Sequence, residues 1–190
     1  DPEPSVTVAT TLENEGYNLS TLVMGTQTGT HVDAPYHFSN SGETIDNMEL
    51  DFFLGEAVVV RVTDKKADEA ITLEDIEPYK EEICEGKIVL FNTNWYKTRG
   101  TDEFFHHPYV NGDVAKYLVD NGVRFIGIDT INADQTGGTE FPVHDLFSEK
   151  RLMIGENWAF FDQIDFERPH VIALPMKLIG SVSYTHLRAH

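Results

Sequence analysis

The sequence predicts an α/β domain in which flanking helices pack on a mixed β-sheet core. Three observations support this class: several short runs rich in β-branched residues, few segments with helical periodicity, and a length of 190 residues, which suits one domain with a sizeable core. Hydrophobic residues make up 41% of the chain and charged residues 24%, as in ordinary globular proteins. We therefore expect one folded domain.

The strands are predicted from runs of Val, Ile, Leu, Thr and Tyr between turn signals. Residues 5–11 and 17–26 are such runs, and the turn-forming residues between them predict a hairpin. The β-branched run at 56–63 has the composition of a central strand. Further short strands are expected at 87–92, 123–129, 152–155 and 171–174.

Helical signals are fewer. The clearest predicted helix covers 112–121, where apolar residues share one face, Asn111 can cap the first turn and Gly122 ends the last. A shorter helix is expected after Thr72, which is followed three positions later by an acidic residue, and Pro78 should divide it into two pieces.

Charge and cysteine content exclude some classes of function. The net charge of −18 argues against a nucleic-acid partner, because phosphate binding needs clustered Lys and Arg. No apolar run approaches the roughly 18 residues of a membrane helix, so no membrane partner is expected. The single cysteine, Cys84, is interpreted as a buried or half-buried structural residue, and a lone cysteine suits a cytoplasmic location. The chain begins at Asp1, which leaves an N-terminal export signal open.

The segment from Gly29 to His37 carries the pattern with the clearest chemistry. Side chains two apart on an extended chain point the same way, so His31 and Asp33 can reach one point in space. Gly29 allows close approach of the backbone, and Pro35 stiffens the exit that leads to His37. Two imidazoles and a carboxylate within seven residues suit a divalent transition metal. The alternative is a strand end followed by a polar turn.

This segment resembles the signature of the cyclase family of metal-dependent hydrolases, His-x-Gly-Thr-His-x-Asp-x-Pro-x-His. Blocks at 127–130, 142–144 and 155–157 are similar to later family blocks. The resemblance implies a swivelling β/β/α-type domain over 1–181 that lacks its natural ends. Residues 182–190 resemble a translated sequencing adapter, and we expect them to be a non-native tail.

The resemblance also implies roles for individual residues. It makes His31, Asp33, His144 and Glu156 metal ligands and His37 the general acid/base. Read from the sequence alone, Glu156 follows a short β-like run, whereas His144 is expected in a loop after Gly137 and Gly138.

One position departs from the family signature. Gln27 stands where the family has its first histidine, and an amide oxygen is a weaker, harder ligand than imidazole. We therefore expect one firmly held divalent metal, with Gln27 as an additional ligand and a second metal in doubt. The oxygen-richer set suits Mn²⁺ at least as well as Zn²⁺.

Other residues have two interpretations each. Trp95 and Phe38 are candidate walls of a substrate pocket, with an aromatic core role as the alternative. The polar residues Asp129, Asn132 and Asp134 either orient ligands or form turns at a strand end.

The predicted function is hydrolysis of a C–N bond in a small amide, formamide or lactam, aromatic or cyclic, by metal-activated water with His37 as general acid/base. This is the arylformamidase-like or isatin-hydrolase-like chemistry that the resemblance implies. One alternative is a metal- or ligand-binding member of the same fold that has lost catalysis, and another is an interaction domain without metal. The resemblance further implies a homodimer or homotetramer.

Overall fold

The computed structural model describes residues 2–185, and these form a mixed α/β fold with many strands and few helices. The strands in chain order are β1 (Ser5–Thr10), β2 (Leu19–Val23), β3 (His31–Asp33), β4 (Leu54–Arg61), β5 (Ala70–Ile71), β6 (Ile88–Asn92), β7 (Tyr109–Val110), β8 (Phe125–Ile128), β9 (Met153–Glu156), β10 (His170–Ile172) and β11 (Ser183–Thr185). The α-helices are α1 (Leu12–Glu15), α2 (Leu73–Ile76), α3 (Gly112–Asp120) and α4 (Pro142–Glu149). Within this described part of the chain, no helix is long and apolar enough to cross a membrane.

One seven-stranded sheet organises the described residues, in the order β10-β4-β6-β8-β9-β3-β11. The strands β4, β6, β8 and β9 run parallel, whereas the pairs β10/β4, β9/β3 and β3/β11 are antiparallel. Two smaller sheets, β1-β2 and β5-β7, lie outside it. The predicted mixed α/β class is confirmed.

Local signals predicted most elements correctly. Helix α3 begins at Asn111, whose side chain accepts a hydrogen bond from the Asp113 amide, and α2 carries a capping box at Thr72. The short 3₁₀ helix Glu77–Tyr79 follows α2, so the chain is divided at Pro78 as expected. The run at 56–63 lies in β4, which is second from the sheet edge rather than central.

Two expectations were wrong. His144 lies on helix α4, not in a loop, and the helix was missed because its N-cap position, Phe141, supplies no side-chain cap. Cys84 is exposed rather than buried, since it lies in the loop between the 3₁₀ helix Glu77–Tyr79 and β6.

The sheet separates two apolar clusters. We call the side covered by α2, α3 and α4 the helical face, and its buried members include Ile154 of β9. The opposite side, the loop face, contains Val32 of β3 and Met153 of β9, together with Trp158 and residues of the following loop. Because side chains alternate along a strand, the neighbours of Val32, His31 and Asp33, point to the helical face.

Trp158 packs on the loop face against two strand glycines. A Cβ atom on Gly155 would lie 2.7–2.8 Å from three indole atoms, and one on Gly127 would lie 3.6 Å from the same ring. The indole Nε1 donates to the His31 carbonyl oxygen at 3.0 Å. Absence of side chains at these glycines therefore lets the tryptophan lie directly against β9 and hold β3 to it.

We expect Gly155→Ala to destabilise the fold by about 1–3 kcal/mol, because the added methyl group must displace a buried indole. Urea unfolding followed by tryptophan fluorescence measures the change. An unchanged midpoint would show that Trp158 moves without cost and that its packing does not hold these strands.

The β1-β2 hairpin stands apart from the large sheet. Every residue of both strands except Thr10 is exposed, with Val6 at 69% and Val8 at 72% of full exposure. An isolated two-stranded hairpin is at best marginally stable in water. The hairpin thus exposes apolar side chains that the described part of the chain does not cover.

The end of the described chain joins the sheet. Strand β11 pairs with β3 from Ser183 opposite Asp33 to Thr185 opposite His31, and the Ala34 amide donates to the Val182 carbonyl. The predicted non-native tail covers 182–190. Of these, 186–190 lie outside the described residues, and the assignment of the tail stays a prediction.

Candidate metal centre

Four buried polar side chains meet at the edge of the helical face. His31 and Asp33 are the first and last residues of β3, and Glu156 ends β9, which pairs with β3 so that His31 lies opposite Glu156. His144 comes from the first turn of α4. All four are at most 4% exposed. Antiparallel pairing and one helix thus bring together residues separated by more than a hundred positions.

The distances between the polar atoms of this cluster are uniform. His31 Nε2 lies 3.6 Å from Asp33 Oδ2 and 3.4 Å from Glu156 Oε2. His144 Nε2 lies 3.8 Å from Asp33 Oδ2 and 3.2 Å from Glu156 Oε1. Donor atoms in a tetrahedral shell with bonds of about 2.1 Å are separated by about 3.4 Å. His31, Asp33 and Glu156 therefore form one group of side chains close enough to share an ion. His144 approaches this group through Asp33 Oδ2 and the other oxygen of Glu156.

Hydrogen bonds of the Nδ1 atoms of His31 and His144 direct the Nε2 atoms of the two rings toward the cluster. His31 Nδ1 lies 2.8 Å from the Gly29 carbonyl oxygen, and His144 Nδ1 lies 2.6 Å from Asp134 Oδ2. Both acceptors require the proton on Nδ1, which leaves the Nε2 lone pairs for a ligand.

Two atoms of the cluster, His31 Nε2 and Asp33 Oδ2, are buried without a hydrogen-bond partner among the described residues. Burial of such atoms costs free energy unless something binds them. The two carboxylates also balance the charge of a divalent cation, which would take the place of the protons that the imidazoles hold in its absence. The residues present therefore fit a divalent metal ion.

Electrostatic coupling keeps the carboxylates ionised. Burial alone would raise their pKa values, but the imidazoles outweigh it, so the pKa of Asp33 lies well below its usual value and that of Glu156 falls to about 2. Conversely, burial alone would lower the pKa values of His31 and His144, but the surrounding carboxylates raise them well above 6.5. The site therefore offers anionic oxygen ligands at neutral pH.

His37 and Gln27 lie beside this cluster. Gln27 Nε2 donates to Asp33 Oδ1 at 2.9 Å and lies 2.7 Å from His37 Nε2. With Asp33 and His144, His37 forms a second group of side chains close enough to share an ion. The largest effect on the pKa of His37 is burial, which lowers it and favours the neutral ring. Gln27 presents its amide nitrogen to both neighbours, whereas a metal would bind the amide oxygen.

The two predicted pocket aromatics differ in position. Phe38 packs against the site, with its ring centroid 4.3 Å from that of His144 and 4.7 Å from that of His37. Trp95 begins the 3₁₀ helix Trp95–Thr98, and its indole donates to the Glu103 carbonyl at 3.2 Å. Its hydrogen bonds join it to the neighbouring loop, and its substrate role stays a prediction.

The three polar residues after β8 have different roles. Asp129 accepts from the Thr93 amide and hydroxyl and from the Asn94 amide, so it ties the ends of β6 and β8 together. Asp134 contacts His144, as an orienting residue would. Asn132 accepts from the Asp134 amide at 2.8 Å and forms part of the turn.

Sequence reasoning missed two backbone contacts and one buried side chain. The Ala133 amide donates to Glu156 Oε1 at 2.7 Å, and the indole of Trp158 donates to the His31 carbonyl. Backbone donors and acceptors leave no residue-type signal. The buried side chain is that of His107, in the loop before β7, which is 1% exposed and whose Nε2 lies 2.7 Å from Thr136 Oγ1.

A mixed sheet carrying a buried His/Asp/His/Glu cluster defines an α/β protein with a candidate metal centre. The sequence profile of the family described as "Putative cyclase" matches residues 3–135, which is more than half of the chain. The chain belongs to this cyclase family, as the motif resemblance predicted.

Curated relatives agree with this membership. The chain is 29% identical over 175 residues to a kynurenine formamidase of Bacillus mycoides, covering 92% of this chain and 80% of the relative. A kynurenine formamidase of Bacillus cereus is 28% identical over 166 residues, which cover 87% of this chain and 76% of that protein.

Solved structures share the fold. An isatin hydrolase bound to the product analogue thioisatinate superposes with a TM-score of 0.88 at 23% identity, covering 99% of this chain and 80% of that one. A structure described as a predicted metal-dependent hydrolase from Bacillus stearothermophilus matches with a TM-score of 0.75 at 28% identity, covering 96% of this chain and 83% of that chain.

Proposed function

We propose that this protein is a metal-dependent hydrolase that cleaves a C–N bond of a small amide, formamide or lactam. The observation that carries the proposal is a pair of buried atoms, His31 Nε2 and Asp33 Oδ2, that have no hydrogen-bond partner within residues 2–185. His31 Nε2 lies 3.4 Å from Glu156 Oε2, and Asp33 Oδ2 lies 3.8 Å from His144 Nε2. Buried atoms of this kind are satisfied by a cation. The kynurenine formamidase and isatin hydrolase relatives support the reaction class.

His31, Asp33, His144 and Glu156 would hold one divalent ion. When bound, such an ion makes a coordinated water more acidic and polarises a scissile carbonyl. Two nitrogen and two oxygen donors suit both Mn²⁺ and Zn²⁺. Gln27 supports a count of one ion. Its amide nitrogen contacts Asp33 Oδ1 and His37 Nε2, and a second ion would need both of these atoms as ligands.

His37 is the proposed proton carrier. It lies at the margin of the cluster, and burial favours its neutral form, which can accept a proton from water and return it to a leaving nitrogen. Phe38 packs on both His37 and His144 and would form one wall for an aromatic or cyclic substrate. Trp95 remains a proposed second wall.

The single cysteine supports a cytoplasmic location.

Metal analysis joined to a substrate panel tests this function. We expect one Mn²⁺ or Zn²⁺ per chain after dialysis, and metal-dependent turnover within a panel of aryl formamides, lactams and lactones. Chelation should abolish the turnover, and the metal should restore it. Failure to bind either ion at micromolar concentration would overturn the proposal, and two tightly bound zinc ions would overturn the single-ion assignment.

A second candidate is a metal-binding member of the fold without catalysis. The contact of Gln27 with His37 Nε2 favours it, because that nitrogen is then engaged and cannot take a proton until the contact breaks. Metal binding without turnover on any member of the panel would support this candidate over the hydrolase.

Self-association through the β1-β2 hairpin is also proposed. Val6 and Leu22 face each other across the hairpin and are 69% and 56% exposed. We expect Val8→Lys combined with Leu22→Lys to reduce the mass measured by light scattering to that of one chain, because burial of the patch in a second copy drives association. Thr7→Lys, on the other face, is the control. Equal masses for the unsubstituted protein and the double variant would contradict the assignment.

A further inference from the structure

The start of helix α4 is held by a residue outside the helix. Phe141, at the N-cap position, makes no side-chain cap. Instead, Asp134 Oδ1 accepts from the Val143 amide at 3.0 Å, and Asp134 Oδ2 accepts from the His144 amide at the same distance. Both amides belong to the first turn, whose N–H groups have no partner within a helix. Asp134 therefore performs the capping from eight residues away.

The same carboxylate contacts the side chain of His144. Asp134 Oδ2 lies 2.6 Å from His144 Nδ1, and Asp134 is 1% exposed. A carboxylate accepts hydrogen bonds only, so Nδ1 must carry a proton, and Nε2 is the nitrogen left to bind a metal ion. Nε2 is the atom that faces Asp33 and Glu156.

The loop before Asp134 also contacts Glu156, the other proposed ligand from the C-terminal part of the chain. The Ala133 amide donates to Glu156 Oε1, and the Asn132 side chain accepts from the Asp134 amide. Consecutive residues of one turn thus hold Glu156 through the backbone and His144 through a side chain. Displacement of this turn would move both.

We propose that Asp134 is a positioning residue that sets the tautomer and direction of His144 for metal binding. The inference rests on the proposed metal site and deepens it. The orientation of a histidine ligand by a carboxylate is typically worth 10–100-fold in metal affinity. Asp134 adds a second effect, since the contact that orients the ring also caps the helix that carries it.

Asp134→Asn separates the two effects. Asn is as good a capping residue as Asp, and its oxygen can still accept from the Val143 amide, although an NH₂ group in the place of Oδ2 cannot accept from the His144 amide. Its NH₂ group then faces His144 Nδ1, which would move the ring proton to Nε2 and block that nitrogen. Asp145→Asn is the matched control, because it removes one charge from the first turn of the same helix at an exposed position.

The experiment measures Zn²⁺ affinity by competition with a chromogenic chelator, beside urea unfolding of the metal-free proteins. We expect Asp134→Asn to weaken Zn²⁺ binding about 10–100-fold. The unfolding midpoint should fall only modestly, because one of the two cap hydrogen bonds is kept. Asp145→Asn should bind as the unsubstituted protein does. NMR of the Zn²⁺-loaded unsubstituted protein should show a slowly exchanging Nδ1 proton on His144, absent from Asp134→Asn.

Two outcomes would overturn the inference. Unchanged Zn²⁺ affinity for Asp134→Asn would mean that Asp134 caps the helix without positioning the ligand. If Asp134→Asn does not fold, Asp134→Glu, which keeps a carboxylate, is compared with Asp134→Gln. Equal Zn²⁺ affinity of Asp134→Glu and Asp134→Gln would show that the carboxylate does not position His144. Failure of the proposed function is distinguishable, because the unsubstituted protein would then bind no Zn²⁺.

Discussion

Replacing His37 by alanine is expected to lower kcat by about 10²–10⁴-fold, the usual contribution of a positioned acid/base group. The ring lies at the margin of the cluster, beside Gln27 and Phe38, whereas the four proposed ligands lie at its centre. Removal of His37 should therefore leave the metal bound. Steady-state turnover and metal content, measured on the same preparation, give the two readouts.

His170→Ala is the control for this substitution, because that histidine lies on β10 at an exposed position. Its turnover should match that of the unsubstituted protein. If His37→Ala kept full turnover, another group would carry the proton. If it lost the metal together with the activity, His37 would be a ligand, and the group formed by Asp33, His37 and His144 would describe the ion site better.

The second large effect is expected for Asp33→Asn. Asp33 Oδ2 is buried, has no hydrogen-bond partner in the part of the chain that the structure describes, and lies within 4 Å of both His31 Nε2 and His144 Nε2. Asparagine has nearly the same shape but removes the negative charge that a divalent ion requires here. We expect metal affinity to fall by more than the 10–100-fold typical of residues that only orient ligands, with turnover lost in parallel.

Elemental analysis after dialysis against micromolar Zn²⁺ or Mn²⁺ measures this loss. Asp113→Asn, exposed in the first turn of α3, controls for the change in net charge. Retention of one ion per chain by Asp33→Asn would contradict the assigned ligand set. Gln27 provides an internal check, because its contact with the oxygen of residue 33 can persist in the variant.

Local features were predictable because they depend on neighbours in the chain. Helix α3 has its cap at Asn111 and its stop at Gly122, and the structure places it where those residues indicate. Alternation along a strand predicted that His31 and Asp33 share a face, which they do. These predictions needed no knowledge of what packs against the segment.

Helix α4 could not be predicted from local signals in the sequence. Its cap is Asp134, which lies outside the helix and reaches the first turn only after the loop following β8 has folded back. A local search finds Phe141 at the cap position and predicts a loop. The error concerned the element that carries His144, although the resemblance had already identified His144 as a ligand.

The sequence alone established the mixed α/β class, the His31-to-His37 motif, the departure at Gln27 and membership of the cyclase family. Tertiary structure alone decided the pairing of β3 with β9, which sets His31 opposite Glu156, and the packing of α4, which brings in His144. It also decided that Gln27 contacts Asp33 and His37 through its amide nitrogen. The physical reason is distance along the chain: spacing and propensity act within a few residues, whereas a metal centre is closed by contacts that span more than a hundred.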